Sequence, residues 1–151
     1  MREVKYRGRR LDNGAWEYGD LIENQGRNFI YHATSETTIE DNDDGRIVIA
    51  AVEVDHNTVG QYTGLKDRNG KKIYEGDILH ERVAIRIVDR RIVKFCYGSF
   101  IAESTYNQGA QCYGEPHEKF QSLKYFSVND IKIEVVGNIH DNSEFLKGGE
   151  Q

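Results

Sequence analysis

Between Val59 and Leu79 the chain alternates β-forming and turn-forming residues in a pattern that neither a helix nor a disordered tail can use. Tyr62, Ile73, Tyr74, Ile78 and Leu79 suit a pleated, half-buried surface, and Gly60, Gly64, Gly70 and Gly76 punctuate them. Asn69-Gly70 is a strong hairpin signal, and the expectation is a tight type I′ turn with positive φ at both residues. Asp77, beside Gly76, is placed to accept backbone N–H bonds. The segment therefore predicts architecture and says little about chemistry.

A chain of 151 residues can build one compact core, burying roughly two-thirds of its unfolded surface, and is short for two independent domains. One domain over 1–151 is the expectation. The longest apolar run, Ile47 to Val52, is too short to cross a bilayer, and Met1-Arg2-Glu3-Val4 opens no secretory signal. The expected compartment is a cytoplasm, with no membrane partner. Cys96 and Cys112 stand sixteen residues apart without a C-x-x-C element, so free thiols are expected rather than structural zinc. No cofactor is implied.

Strand patterning runs through the chain. Ile131, Ile133 and Val135 alternate with Asp130, Lys132 and Glu134, as in a half-buried strand. Phe29 to His32 and Ile47 to Val54 read as two more strands. Val83 to Val88 and Ile92 to Tyr97 read as a pair joined by a turn at Asp89-Arg90-Arg91. Ser104 to Ser122 looks like a long excursion, with a helical turn expected near His117 to Leu123. A short C-terminal helix is expected through Ser143-Glu144-Phe145-Leu146, capped by Asp141 or Asn142 and ended by Gly148-Gly149. The fold class is mainly β, with antiparallel sheets and that one helix.

An internal echo complicates the picture. Tyr6, Gly8, Asn13, Gly14 and Tyr18 recur 56 positions later as Tyr62, Gly64, Asn69, Gly70 and Tyr74. After one extra residue, Glu75, Gly19-Asp20 is answered by Gly76-Asp77. If residues 6–22 and 62–79 are a true repeat, both Asn-Gly pairs turn hairpins and Asp20 and Asp77 occupy equivalent places. Convergent turn chemistry explains the echo equally well.

The words Val59-Gly60-Gln61-Tyr62-Thr63-Gly64-Leu65-Lys66-Asp67, Ile73-Tyr74-Glu75-Gly76-Asp77-Ile78 and Val136-Gly137-Asn138-Ile139-His140-Asp141-Asn142 resemble the YopX family of bacteriophage and prophage proteins. Tyr6-Arg7-Gly8 and Trp16 to Leu21 look like the opening of the same family. Departures are local: His56 stands where a proline is common, and His140 and Ser143 replace an aromatic and a proline. The resemblance implies a mostly β fold with an SH3-like barrel element, a phage or prophage origin in a bacterial host, and self-association. Within it, a β-rich part over 1–58 and a barrel-like part over 59–140 are expected. It carries no catalytic or ligand-binding residue onto this chain.

Three functional classes compete. General acid-base or metal chemistry would draw on Asp20, Asp77 and Asp141 with His56 or His140, but each aspartate sits where turn chemistry alone uses a short acceptor. No P-loop, H-E-x-x-H, nucleophile-elbow or dinucleotide fingerprint is present. Nucleic-acid binding would use Tyr6, Arg7, Arg9 and Arg10 with Trp16, or Arg86, Arg90, Arg91 and Lys94 with Phe95 and Tyr97. A net charge of −5 and an acidic run at Glu36, Glu40, Asp41, Asp43 and Asp44 weigh against it. A protein-interaction module, self-associating or bound to a host or phage protein, asks least of the residues.

Overall fold

The computed structural model describes residues 3–32, 40–41, 47–48, 51–83, 86–96, 98–105, 120–122 and 132–146. Tyr97, Cys112, Pro116, His117, Ile131, Gly148 and Gly149, and Glu36, Asp43 and Asp44 of the acidic run, lie outside them. The strands in chain order are β1 (Tyr6–Arg10), β2 (Trp16–Asn24), β3 (Arg27–Tyr31), β4 (Glu40–Asp41), β5 (Ile47–Val48) and β6 (Val52–Lys66). They are followed by β7 (Lys72–Tyr74), β8 (Asp77–Val83), β9 (Arg86–Cys96), β10 (Ser99–Ser104), β11 (Phe120–Ser122) and β12 (Lys132–Asn138). The protein is mainly β with antiparallel pairing throughout the registers described. The expected C-terminal helix is only a 3-10 turn, Ser143–Leu146. Four residues close too few backbone bonds for an α-helix, and the Asn142 side chain turns back to accept from the Asn138 N–H at 3.3 Å instead of capping the turn.

The chain divides into two compact units, 1–62 and 63–151. In the first, β1 pairs with β2, β2 with β3 and β3 with β6, and β6 also pairs with β1, so the pairings return to their starting strand. Val54 stands at the closure, opposite both Asn28 and Arg10, and is 2% exposed. Gly8 is required beside it, because a Cβ there would come within 2.8 Å of Val54 Cγ2. Between Arg7 and Arg9 the register with β6 slips, and the surplus residues of β6 form a bulge. Asp55 Oδ1 accepts from the Asn57 N–H at 3.0 Å. The Thr58 hydroxyl then donates to the Asp55 carbonyl at 2.7 Å and accepts from the Arg9 N–H at 2.8 Å.

In the second unit the strand order is β11-β10-β9-β8-β12, and β7 pairs with the end of β6. Ile73, Leu79, Val93, Phe100, Ala102, Ile133 and Val135 form its core, with Leu65 packed against them. Ile133 and Val135 fulfil the alternation expected of that strand. Each fully buried aliphatic side chain contributes about 1.5–3 kcal/mol. Phe120–Ser122 is a strand, not the helical turn expected there; pairing with Ile101–Glu103 decides a segment whose own periodicity is weak.

Two turns depart from expectation. Asp89-Arg90-Arg91 is the interior of β9, which runs unbroken from Arg86 to Cys96. Charged residues are tolerated there because Arg91 finds carboxylates within the sheet, at Glu81 and Asp89. Among the described residues, the two-residue hairpin with positive φ at both positions is Gln25-Gly26 (φ 52° and 76°), between Asn24 and its partner Arg27. At Asn69-Gly70 only the glycine is left-handed, at φ 82°. Gly70 N–H donates to the Asp67 carbonyl at 3.0 Å and Asp67 N–H to the Lys71 carbonyl at 2.8 Å, which makes a three-residue loop with its bulge at Gly70.

Both Asn-Gly pairs do turn hairpins, since β1 and β2 are joined through Gly14 (φ 71°). Beyond the hairpins the echo fails. Gly19-Asp20 runs through the interior of β2, where a Cβ on Gly19 would sit 2.1 Å from the Tyr31 carbonyl oxygen. Gly76, at φ 80°, instead breaks β7 from β8. Asp20 is half exposed and pairs with Lys5 at 2.9 Å, while Asp77 is 1% exposed and accepts from the Tyr74 N–H at 2.8 Å. The extra Glu75 converts a continuous strand into a corner.

The Asp67 carboxylate is buried and accepts from three backbone donors: Asn69 at 2.8 Å, Lys71 at 2.9 Å and Val135 at 3.0 Å. Asp67→Ala is expected to destabilise the protein by about 3 kcal/mol, since it strands donors that a charged acceptor had satisfied. Urea denaturation checks this, and Asp67→Asn should recover only part of the loss.

Candidate functional site

The basic residues singled out in the sequence fall into two groups. On the β1–β2 hairpin, Arg7 and Arg9 share a face with Trp16, which lies opposite Arg9, and with Tyr18, opposite Arg7. The guanidinium carbons lie 4.9 Å (Arg7) and 5.6 Å (Arg9) from the indole centroid. Stacking of this kind suits both a nucleobase platform and a rigid protein contact. Arg7, however, is only 6% exposed. Tyr6 lies on the strand's other face, opposite Gly19 and Gln61. Arg10 also leaves the patch: it clasps Asp12 with two bonds, at 2.9 and 2.7 Å, and reaches Glu17 at 3.4 Å. Hydrogen bonding to Asp12 raises the Arg10 pKa above its ordinary value, and the same bond lowers that of Asp12.

The second group lies on β9. Arg90 and Arg91, adjacent in sequence, point to opposite faces of the sheet. On the core side, Arg91 donates to Glu81 at 2.8 Å, lies 2.9 Å from Asp89, and reaches the Ala102 carbonyl at 3.4 Å. The Ser104 hydroxyl adds a bond to Asp89 at 2.9 Å. Arg91, Asp89, Ser104 and the neighbouring Thr105 are all under 10% exposed, so the core ends in a buried polar cluster. Lys94 is spent on Glu103, and Arg82 on Glu134 at 3.1 Å. Arg86 opens β9, and its side chain lies outside what is described.

Arg90 emerges on the opposite face. Its Nε donates to His80 Nε2 at 3.4 Å, its Nη1 donates to the Phe145 carbonyl at 3.4 Å, and its guanidinium carbon lies 4.6 Å from the Phe145 ring centroid. Burial pushes the His80 pKa below its ordinary value, Arg90 and Arg82 push it further, and Glu134 opposes them.

Two of the family-like words, residues 73–78 and 136–142, meet at the β7–β8 corner. Gly76 N–H donates to the Val93 carbonyl at 2.9 Å, and Gly76 C=O accepts from the Ile139 N–H at 2.9 Å. Asn138, opposite Asp77, folds the following residues: its Oδ1 accepts from the His140 and Asp141 N–H groups at 2.9 and 3.0 Å. Its Nδ2 donates to Asp141 at 2.7 Å. A Cβ on Gly137 would lie 2.1 Å from Asn142 Oδ1, so a larger residue there displaces the side chain that accepts from the Asn138 N–H.

Residues 5–147 match the family described as YopX protein. The chain belongs to the YopX family. None of the curated proteins matches it. Among solved structures it is similar to the crystal structure of protein EF1440 from Enterococcus faecalis, at 21% identity and a TM-score of 0.58, covering 97% of this chain and 100% of that one. That likeness concerns the fold alone.

In this YopX chain the acid-base candidates are each engaged by turn or ion-pair geometry: Asp20 by Lys5, Asp77 by a backbone N–H and Asp141 by Asn138. His56 lies at the tip of the β6 bulge, 3.9 Å from Asp55. No group of three or more His, Cys, Asp or Glu side chains is placed to hold a metal ion among the described residues. Sequence reasoning missed the Glu81–Arg91–Asp89–Ser104 cluster, although a signal existed. Arg91 stands two residues before Val93, so β9 carries it onto the core face once Asp89-Arg90-Arg91 is recognised as strand.

Arg91→Met is expected to cost about 3–5 kcal/mol, because it leaves Glu81 and Asp89 as uncompensated buried charges. Replacing Glu81, Asp89 and Arg91 together with apolar residues of similar volume should cost less than the single change. Chemical denaturation of the two variants measures the difference.

Proposed function

We propose that this YopX protein is a non-enzymatic phage or prophage accessory module that acts by self-association in the cytoplasm of a bacterial host. The observation that carries the reading is Phe95. It follows the fully buried Val93 on the core side of β9, yet it is 53% exposed, with an edge-on contact to Phe100 at 5.0 Å between centroids. A half-exposed aromatic continuing a core face is the kind of group that a second copy covers, and a stable contact needs about 800 Å² from each partner. The return of the pairings through β1, β2, β3 and β6 to β1 supports the finer reading of an SH3-like barrel element.

Nucleic-acid binding is the second reading, supported by the stacking of Arg7 and Arg9 on Trp16. The consumption of Arg10, Arg82, Arg91 and Lys94 in ion pairs weighs against it, since phosphate binding rewards uncommitted cations.

Light scattering on the purified chain is expected to give a mass above the monomer that rises with concentration and resists salt. Phe95→Ser should move the equilibrium to monomer without loss of fold by circular dichroism. A concentration-independent monomer rules the reading out. Anisotropy titrations with single- and double-stranded oligonucleotides test the second reading, which requires binding that weakens steeply with salt.

A further inference from the structure

The face of β8 and β9 opposite the core carries a device that the proposed self-association does not use. His80 lies between Arg90 on β9 and Glu134 on β12, its direct cross-strand partners. Arg82, farther along β8, is engaged with Glu134, and Lys132 lies opposite Arg82. Phe145, from the 143–146 turn, completes the group, with its ring centroid 6.4 Å from that of His80. In the same turn, Glu144 accepts from Asn142 Nδ2 at 3.2 Å.

His80 Nε2 can accept the Arg90 N–H only while the imidazole is neutral, which places its proton on Nδ1. Arg90 has no second state, since its guanidinium stays charged. One residue thus holds both partners: the acceptor on His80, and the ring and carbonyl of Phe145. We propose that His80 is a proton-operated latch, which holds the C-terminal turn through Arg90 when neutral and releases it when protonated.

Addition of a solvent proton to Nε2 turns the acceptor into a donor facing a guanidinium. The Arg90 bond is lost, two like charges face each other across adjacent strands, and the Nδ1–H, buried without a hydrogen-bond partner among the described residues, meets no acceptor that would compensate the new charge. Glu134 is the carboxylate across from His80 on β12 that favours the imidazolium, and it is already shared with Arg82. Arg90 then moves away from His80 and carries Phe145 with it. The sign follows: the docked state disfavours the proton, so docking is complete above the ordinary histidine value of 6.5 and is lost as pH falls through the lower value of the docked state.

The Phe145 amide, which donates to the Asn142 carbonyl at 3.0 Å, reports docking by hydrogen exchange corrected for intrinsic rate. Between about pH 7.5 and about pH 5, its protection in the wild-type chain should fall roughly tenfold, in step with the His80 imidazole signals in an NMR titration. His80→Gln, which keeps an acceptor and cannot be protonated, should hold protection flat. The Phe145 ring signals of the wild type give an independent readout and should follow the His80 midpoint. The proposal is overturned if His80 titrates while Phe145 ring and amide stay unchanged, or if His80→Gln shows the same loss on acidification. Neither result bears on self-association, which is read as mass.

Discussion

The Asp67 carboxylate ties together parts of the second unit that are far apart in sequence. It closes its own hairpin through Asn69 and Lys71, and it reaches 68 residues along the chain to the Val135 N–H. One side chain thus serves local turn geometry and long-range strand placement at once. Leu65 lies two residues before it on β6, and Ile73 follows the hairpin on β7, so fixing the turn also sets where both meet the core. Aspartate suits the position because a charged acceptor makes stronger bonds to N–H donors than an amide carbonyl does. In this light the family word ending at Asp67 is an instruction for assembly.

The strands were legible where one face is apolar and the other polar. Ile133 and Val135 announced β12, and the Asn-Gly pairs announced their hairpins, because alternation and glycine freedom are local properties. Three things were not legible. Gln25-Gly26 carries no asparagine, so its left-handed pair is enforced by the flanking β2 and β3 register. Asp89-Arg90-Arg91 reads as a turn until Glu81 is brought across the sheet, which only the tertiary pairing does. The parity of Asp20 and Asp77 fails because Glu75 bends the chain, and an inserted residue does not say by itself whether a strand bulges or ends.

The candidate surface was legible as composition and misleading as geometry. Seven residues, Tyr6, Arg7, Arg9, Arg10, Arg86, Arg90 and Arg91, suggested a basic face. The fold separates them, sending Arg91 into a buried cluster, Arg90 beneath a C-terminal phenylalanine, and Arg10 into a double clasp with acids on its own hairpin. An arginine paired with carboxylates inside the fold gains defined geometry. Phe95, by contrast, lies on the core side of β9, and its exposure is visible only once the extent of the core is known.

The hairpin that Asp67 closes has a further effect on the sheet it touches. β12 is the terminal strand beside β8, the position at which a sheet ordinarily offers unpaired backbone to a neighbouring molecule. Here the Ile133 carbonyl is taken by the Arg68 N–H at 3.1 Å, and the Val135 N–H by Asp67. A turn acts as a stopper on that border. Strand addition is obstructed where those two groups would otherwise face a neighbouring backbone.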